Sequence, residues 1–208
     1  MLSLAIFLTL SLIFMAVSVV LQNKSDAVAR TEVISREERL IEVEKTIVTG
    51  KIDRLTRDLL YIKDTWYIGG PEHDYANIKQ MWLSFANRSK NYERLRFIDK
   101  DGNEVVCVRY SSRGSFVDNS SRLRNRRGCS YFEDAVSLAE NYIYVSRLDL
   151  DAEQEDYQPR RPVIRLAVQI RESSGKLAGV VLLDYLADDM LKQVRRAANT
   201  SPYDLYLL

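Results

Sequence analysis

Four arginines, Arg122, Arg124, Arg126 and Arg127, fall within six residues of the stretch SSRLRNRRGCS. Guanidinium groups at this density suit a carboxylate or a phosphate, because each can aim two parallel N–H donors at two oxygens. The same cluster can equally be an exposed basic loop facing the acidic run Asp149, Asp151, Glu153, Glu155 and Asp156, since surface ion pairs form readily and contribute little. Asp184 stands inside the apolar run VVLLDYL; a carboxylate buried there requires a partner. Two cysteines, Cys107 and Cys129, and a single histidine, His73, supply too few soft ligands for a zinc site, so no metal and no cofactor are expected. Asp99, Asp101 and Asn103 alternate as calcium ligands do, but Gly102 comes fourth rather than sixth in that stretch, and a tight turn accounts for it better. His73 lies in a polar connection with no nucleophile or carboxylate pattern around it. Whether Cys107 and Cys129 pair in an oxidising compartment is left open, because pairing depends on Cα separation.

Composition narrows the class. Thirty basic side chains against 29 acidic ones leave a net charge of +1 over 208 residues, so no overall field favours nucleic acid. No set of nucleophile, base and orienting group is apparent, and the chain is not expected to be an enzyme.

The elements that position these residues follow from periodicity. Residues 2–21 carry no charge and are long enough to cross a hydrocarbon layer of roughly 30 Å; a cleaved signal peptide is the competing reading, with Ala27-Val28-Ala29 as the cleavage-like site. Residues 1–22 are therefore expected as a transmembrane helix. Lys24 and Arg30 come after that span and no basic residue precedes it, a distribution that taken literally opposes export of the domain downstream. Over residues 23–68 apolar side chains at Leu40, Val43, Ile47, Ile52, Leu55, Leu59, Ile62 and Trp66 recur at steps of mostly three and four, predicting one long helix with a buried stripe. That stripe could also pack in a parallel homodimer, although heptads are not sustained. Gly69-Gly70-Pro71 should end the helix, and a shorter one comes next over Tyr75–Asn87 with Asp74 as its N-cap.

Residues Tyr92–Ile98 and Glu104–Tyr110, joined by Asp99-Lys-Asp-Gly-Asn103, read as a hairpin. A helix is expected over Tyr131–Glu140, then strands over Tyr142–Leu150, Val163–Ile170 and Leu177–Tyr185, with Tyr142, Tyr144, Ser146 and Leu148 on one strand face. A helix over Leu186–Ala198 and a strand beginning at Tyr203 close the chain. The class is α+β.

The ordered series YERLRFIDKDGNE, YFEDA, YVSRLDL, PVIRLA and SGKLAGVVLLDYL resembles the membrane-distal lobe of the double Cache (PAS-like) extracellular sensor domain found in front of bacterial diguanylate cyclases and histidine kinases. The resemblance implies a long N-terminal helix beside an antiparallel sheet lobe over 69–190, and the start of a second lobe over 191–208. It implies attachment to the bacterial inner membrane, with residues from about 23 onward in the periplasm or outside the cell, and a cytoplasmic output module beyond this chain. It also implies a small-molecule ligand held in the distal lobe, with an Arg and an aromatic near the helix start on the carboxylate and a Tyr and an Asp on later strands on the amine. Arg126 or Arg127, Tyr131, Tyr144 and Asp184 are the counterparts here, and Ser146 shares the strand face of Tyr144. Cys129-Ser130-Tyr131-Phe132 stands where the amino-acid pattern has Trp beside Tyr or Phe, and no Asp lies two residues after Tyr144. Small carboxylates and other small solutes therefore stay open beside amino acids. The alternative is a non-enzymatic module that binds a periplasmic protein or dimerises.

Overall fold

The computed structural model describes residues 2–68, 75–111, 113–150 and 161–198, with most side chains of 2–33 outside that description. Two compact units divide the chain, one of residues 1–47 and 194–208 and the other of residues 48–193. Helix α1 (Leu2–Ile68) contributes residues up to Ile47 to the first unit and residues from Val48 to the second, and its first part carries surface pairs of the ordinary i,i+3 kind, such as Lys45 with Glu42 at 3.7 Å. Among the described residues no helix is long and apolar enough to cross a membrane. The expected stop at Gly69-Gly70-Pro71, the Asp74 cap, His73, the acidic run after Leu150 and the strand from Tyr203 lie outside the described residues.

The second unit is built on one sheet. In chain order its elements are the last part of α1, from Val48, α2 (Tyr75–Ser89), β1 (Tyr92–Asp99), β2 (Glu104–Ser111), β3 (Gly114–Val117), α3 (Ser130–Ser137), β4 (Ile143–Val145), β5 (Asp149–Leu150), β6 (Pro162–Arg171), β7 (Leu177–Leu186) and the first part, to Gln193, of α4 (Asp188–Ala198). Among the described residues the strands form one antiparallel sheet ordered β3-β2-β1-β7-β6-β4, with β5 also on β6. The central strands β1, β6 and β7 are buried along nearly their whole length, as expected of strands covered on both faces.

Pairing register sorts the side chains into two faces, because residues directly opposite one another share a face. On the first face, Leu95 and Phe97 of β1 lie opposite Leu183 and Val181 of β7 and meet the helices. Leu55, Leu59, Ile62 and Trp66, at steps of four, three and four, are all at most 2% exposed, and the Trp66 ring centroid lies 3.7 Å from that of Phe97. Each such side chain removed from water stabilises the fold by roughly 1.5–3 kcal/mol. Tyr92 donates to Asp58 at 2.5 Å, and Trp82 of α2 donates its indole N–H to Thr65 at 2.9 Å, so polar tips inside this layer find partners. Close approach of β7 to β1 demands Gly179, where a Cβ would lie 2.1 Å from the Ile98 carbonyl oxygen.

The second face carries Arg94, Arg96 and Ile98 of β1, opposite Asp184, Leu182 and Val180 of β7, which in turn lie opposite Arg165, Ala167 and Gln169 of β6. Helix α3 covers it: Tyr131, Phe132 and Ala135 pack on Ile98, Ala167, Val180 and Leu182, with Cys129, Val136 and Tyr144 at the margin.

Three sequence expectations are revised. The helix expected over Tyr131–Glu140 ends at Ser137, because Leu138 turns extended (ψ 152°) and the Gln169 amide donates to the terminal carbonyls of Ala135, Val136 and Leu138 at 3.2, 2.9 and 2.8 Å, ending the ladder. The strand expected over Tyr142–Leu150 divides into β4 and β5, since Ser146 turns its hydroxyl onto the backbone at Arg147 O and Arg165 N. A short strand, β3, pairs with β2 where only a polar loop was expected. The Asp99–Asn103 segment is a turn as expected, its Asp99 carboxylate accepting the backbone N–H groups of Asp101 and Asn103 at 2.9 and 2.8 Å.

Candidate functional site

Asp184 is the centre of the second face. It is fully buried, and both of its oxygens accept from Arg96 Nη2, at 2.9 and 2.7 Å. Two more guanidinium groups stand close, Arg165 Nε at 3.7 Å and Arg94 Nη1 at 3.9 Å. These three arginines come from neighbouring strands and share one face only because each falls at the right parity of its strand. Burial of so many charges is sustainable because guanidinium groups and carboxylates meet there.

Glu104, at the start of β2, ties this centre to the arginine loop. Its Oε1 accepts from Arg96 Nη1 at 3.2 Å and from Arg126 Nε at 2.7 Å, and its Oε2 accepts the Arg124 backbone N–H at 3.0 Å. The loop is held further by Arg126 N donating to Gly102 O. Gly102 has φ +87°, and a Cβ there would sit 2.8 Å from Arg127 N, so the turn and the loop can close together only around glycine.

Tyr131 closes the centre from above. Its ring lies between Arg96 and Arg165, with guanidinium carbons 5.4 and 5.2 Å from the ring centroid, and its hydroxyl accepts from Arg96 Nη1 at 3.4 Å. The loop–helix junction beneath it is set by Glu133, whose carboxylate accepts the Gly128 N–H at 2.9 Å, in the manner of a capping box.

The sequence-derived candidates are distributed unevenly around this centre. Asp184 and Tyr131 lie inside it. Arg126 reaches it through Glu104. Tyr144, half-buried, borders it at the sheet edge, and burial, together with Asp134, raises its phenol above the usual range. Ser146 is engaged with backbone groups beside Arg165. Arg127 faces outward, its side chain 67% exposed and 3.7 Å from Asp101; Arg122 and Arg124 are also exposed. Sequence reasoning missed Arg94, Arg96, Arg165 and Glu104. The available signal was parity: Arg94 and Arg96 are two residues apart in a strand, so they share one face of it, opposite to Leu95 and Phe97. Cys107 and Cys129 are both free thiols, and burial pushes the Cys107 thiol well above its usual range. Among the described residues no cluster of His, Cys, Asp and Glu could hold a metal ion.

A family model described as the sensor domain of bacterial histidine kinases matches residues 64–190, a span that contains every residue of this centre. The chain belongs to that family. Among curated proteins none matches it. The sensor domain is similar to the extracellular domain of the histidine kinase vpHK1S-Z8 (TM-score 0.59, 21% identity, 76% of this chain and 60% of that one). It is also similar to a domain of a sensory box/GGDEF family protein from Vibrio parahaemolyticus (TM-score 0.54, 21% identity, 73% and 64%). A third likeness is to the ligand-binding domain of the Campylobacter jejuni chemoreceptor Tlp3 in complex with L-valine (TM-score 0.57, 17% identity, 74% and 60%). These are Cache-like sensor domains, and at such identities the likeness is one of fold. The sensor domain spans about three fifths of the length of the solved chains it matches.

Proposed function

We propose that this sensor domain is the ligand-binding input of a bacterial membrane receptor and takes a small carboxylate-bearing solute between α3 and the sheet. The observation that carries this is the buried arginine cluster around Asp184, on the face turned away from the α1 segment that packs against the sheet. Fixed guanidinium groups beneath a short helix suit recognition of a planar anion. Arg126, Tyr131, Tyr144, Ser146 and Asp184 contribute, and Arg127 stands at the entrance. The uncharged stretch 2–21 anchors the chain in the inner membrane with the sheet unit outside the cytoplasm. The signal then passes along α1 as a shift between two arrangements of the unit, in a homodimer, to an output module outside this chain.

The test is a thermal-shift screen of the full chain in detergent with amino acids and small organic acids, repeated with Tyr144→Ala and Arg126→Ala. A solute that raises the midpoint in the native protein and loses most of that effect in both variants is the expected result. A stabilising solute indifferent to both changes would displace the site while sparing the sensor reading.

A second reading has its own support. Tyr142, Leu148 and Leu150, at the β4 and β5 edge, are 65%, 42% and 53% exposed, and apolar side chains at a sheet edge suit docking of a protein or a second copy. Absence of any stabilising solute, together with association that Tyr142→Ser and Leu150→Ser abolish, would favour that reading.

A further inference from the structure

A helix as short as α3, eight residues, is marginal on its own, because the turn that nucleates it is costly. Its place over the sheet therefore depends on what grips its two ends. The first part is packed: Tyr131 and Phe132 are buried, and Ala135 is the last buried side chain of the helix. Beyond Ala135 the grip is polar and comes from one group. The Gln169 amide nitrogen donates to the carbonyls of Ala135, Val136 and Leu138 at 3.2, 2.9 and 2.8 Å, and the amide oxygen accepts from Arg171 Nη2 at 2.8 Å. This orientation is forced, since only the NH2 end can face three acceptors and only the oxygen can face a guanidinium.

Arg171 is also where the end of α1 meets β6. Tyr67 lies next to Trp66, whose ring packs on Phe97. Its hydroxyl donates to the Arg171 carbonyl at 3.3 Å and accepts the Arg171 N–H at 3.2 Å. The β6–β7 register shifts between Ile170 and Arg171, and at such an irregularity the regular ladder is interrupted, so a side-chain hydroxyl can serve the backbone there. The Arg171 side chain meanwhile reaches Gln169, which shares the second face with Val180, and closes onto Gly175 O at 2.8 Å. One residue thus joins the last turn of α1 to the last turn of α3, from opposite sides of the sheet.

Resting on the sensor reading above, we propose that Gln169 is a positioning residue that latches α3 over the site, and that Gln169, Arg171 and Tyr67 carry a change in α3 to the end of α1. A solute that shifts α3 must re-aim the three bonds from the Gln169 amide; the amide oxygen then draws on Arg171, and Arg171 on the Tyr67 hydroxyl. Such a coupling is reciprocal, so a cut made at α1 is read at α3.

The experiment measures amide hydrogen exchange on the full chain in detergent. Gln169→Glu keeps the shape and the acceptor for Arg171 but turns an oxygen toward three carbonyls, and exchange in the last turn of α3 should quicken at least about tenfold. Tyr67→Phe removes one hydroxyl from a ring that is 48% exposed and lies outside α3, yet it should quicken the same amides at least about fivefold. The double variant should be no faster than Gln169→Glu alone, because the chain of bonds is already cut. Should Gln169→Glu fail to fold, Tyr67→Phe decides by itself. Among amino acids and small organic acids, one that raises the native unfolding midpoint should also change exchange at the Arg171 N–H, and lose that effect in Tyr67→Phe. Unchanged α3 exchange in Tyr67→Phe, effects that multiply in the double variant, or a stabilising acid without influence on Arg171 would overturn the inference and leave the sensor reading standing. If none of these acids stabilises the native chain, the sensor reading falls and this inference with it.

Discussion

Arg96 of β1 and Asp184 of β7 lie 88 residues apart in sequence, and a single guanidinium nitrogen, Arg96 Nη2, serves both oxygens of that carboxylate, at 2.9 and 2.7 Å. Neither side chain reaches solvent. A buried pair of this kind is costly to break from one side, because the surviving charge is left without its counterpart.

Asp184→Ala should accordingly destabilise the sheet unit by about 3–5 kcal/mol. Arg96→Gln and Asp184→Asn, alone and together, should show a coupling of about 1–3 kcal/mol in urea unfolding. Additive effects would mean that the pair is not an energetic unit.

Glu104→Gln keeps the shape of the side chain and removes the charge that Arg96 and Arg126 share. The loss should be about 1–3 kcal/mol, and amide hydrogen exchange should quicken at Arg124, whose N–H bonds Glu104 Oε2. Unchanged protection at Arg124 would contradict the role of Glu104 as the tie between loop and sheet.

Gly179→Ala and Gly128→Ala separate two reasons for glycine. At Gly179 the obstacle is backbone of the neighbouring strand, 2.1 Å from the new Cβ, and the substitution should unfold the unit or cost well over about 3 kcal/mol. At Gly128 nothing lies within 4 Å and φ is +84°, so only the left-handed conformation is penalised, at about 1–2 kcal/mol. Midpoints of thermal unfolding for the two variants should differ accordingly.

Alkaline stability provides a test of the helix-facing layer. Burial pushes the Tyr185 phenol up from 10.0 to about 12, with Asp189 adding to the effect. The unfolded chain therefore releases this proton first as pH rises, and the stabilisation, whole below pH 10, is lost as pH climbs toward 12. Tyr185→Phe should flatten that part of the stability profile. Tyr92, raised in the same direction by burial and by its bond to Asp58, should continue the decline in the Tyr185→Phe protein.

Much of the architecture was legible because it rests on local periodicity. The stripe Leu55, Leu59, Ile62 and Trp66 follows helical spacing, and Asp99 to Asn103 has the residues of a tight turn. The β4–β5 break was not legible, since the Ser146 hydroxyl that interrupts the ladder bonds Arg165 N, 19 residues away. β3 has only four residues, too few for alternation to register. In the site, Asp184 could be recognised as a buried acid in need of a partner, but the identity of that partner depended on strand register. Arg96 and Arg165 were not singled out in the sequence, because their burial follows from α3 crossing the second face. The Arg122–Arg127 cluster drew attention by density, yet only Arg126 turns inward, because Glu104 is within its reach.

Phe97 comes directly after Arg96 in β1. Phe97 meets Trp66 of α1 and Arg96 holds Asp184, so a single peptide plane separates the arginine-bearing layer from the one packed on α1. Any rotation of that plane that relieves Arg96 must swing the Phe97 ring against the Trp66 indole, which makes the middle of β1 the shortest mechanical path between the two layers and Trp66 fluorescence its natural reporter.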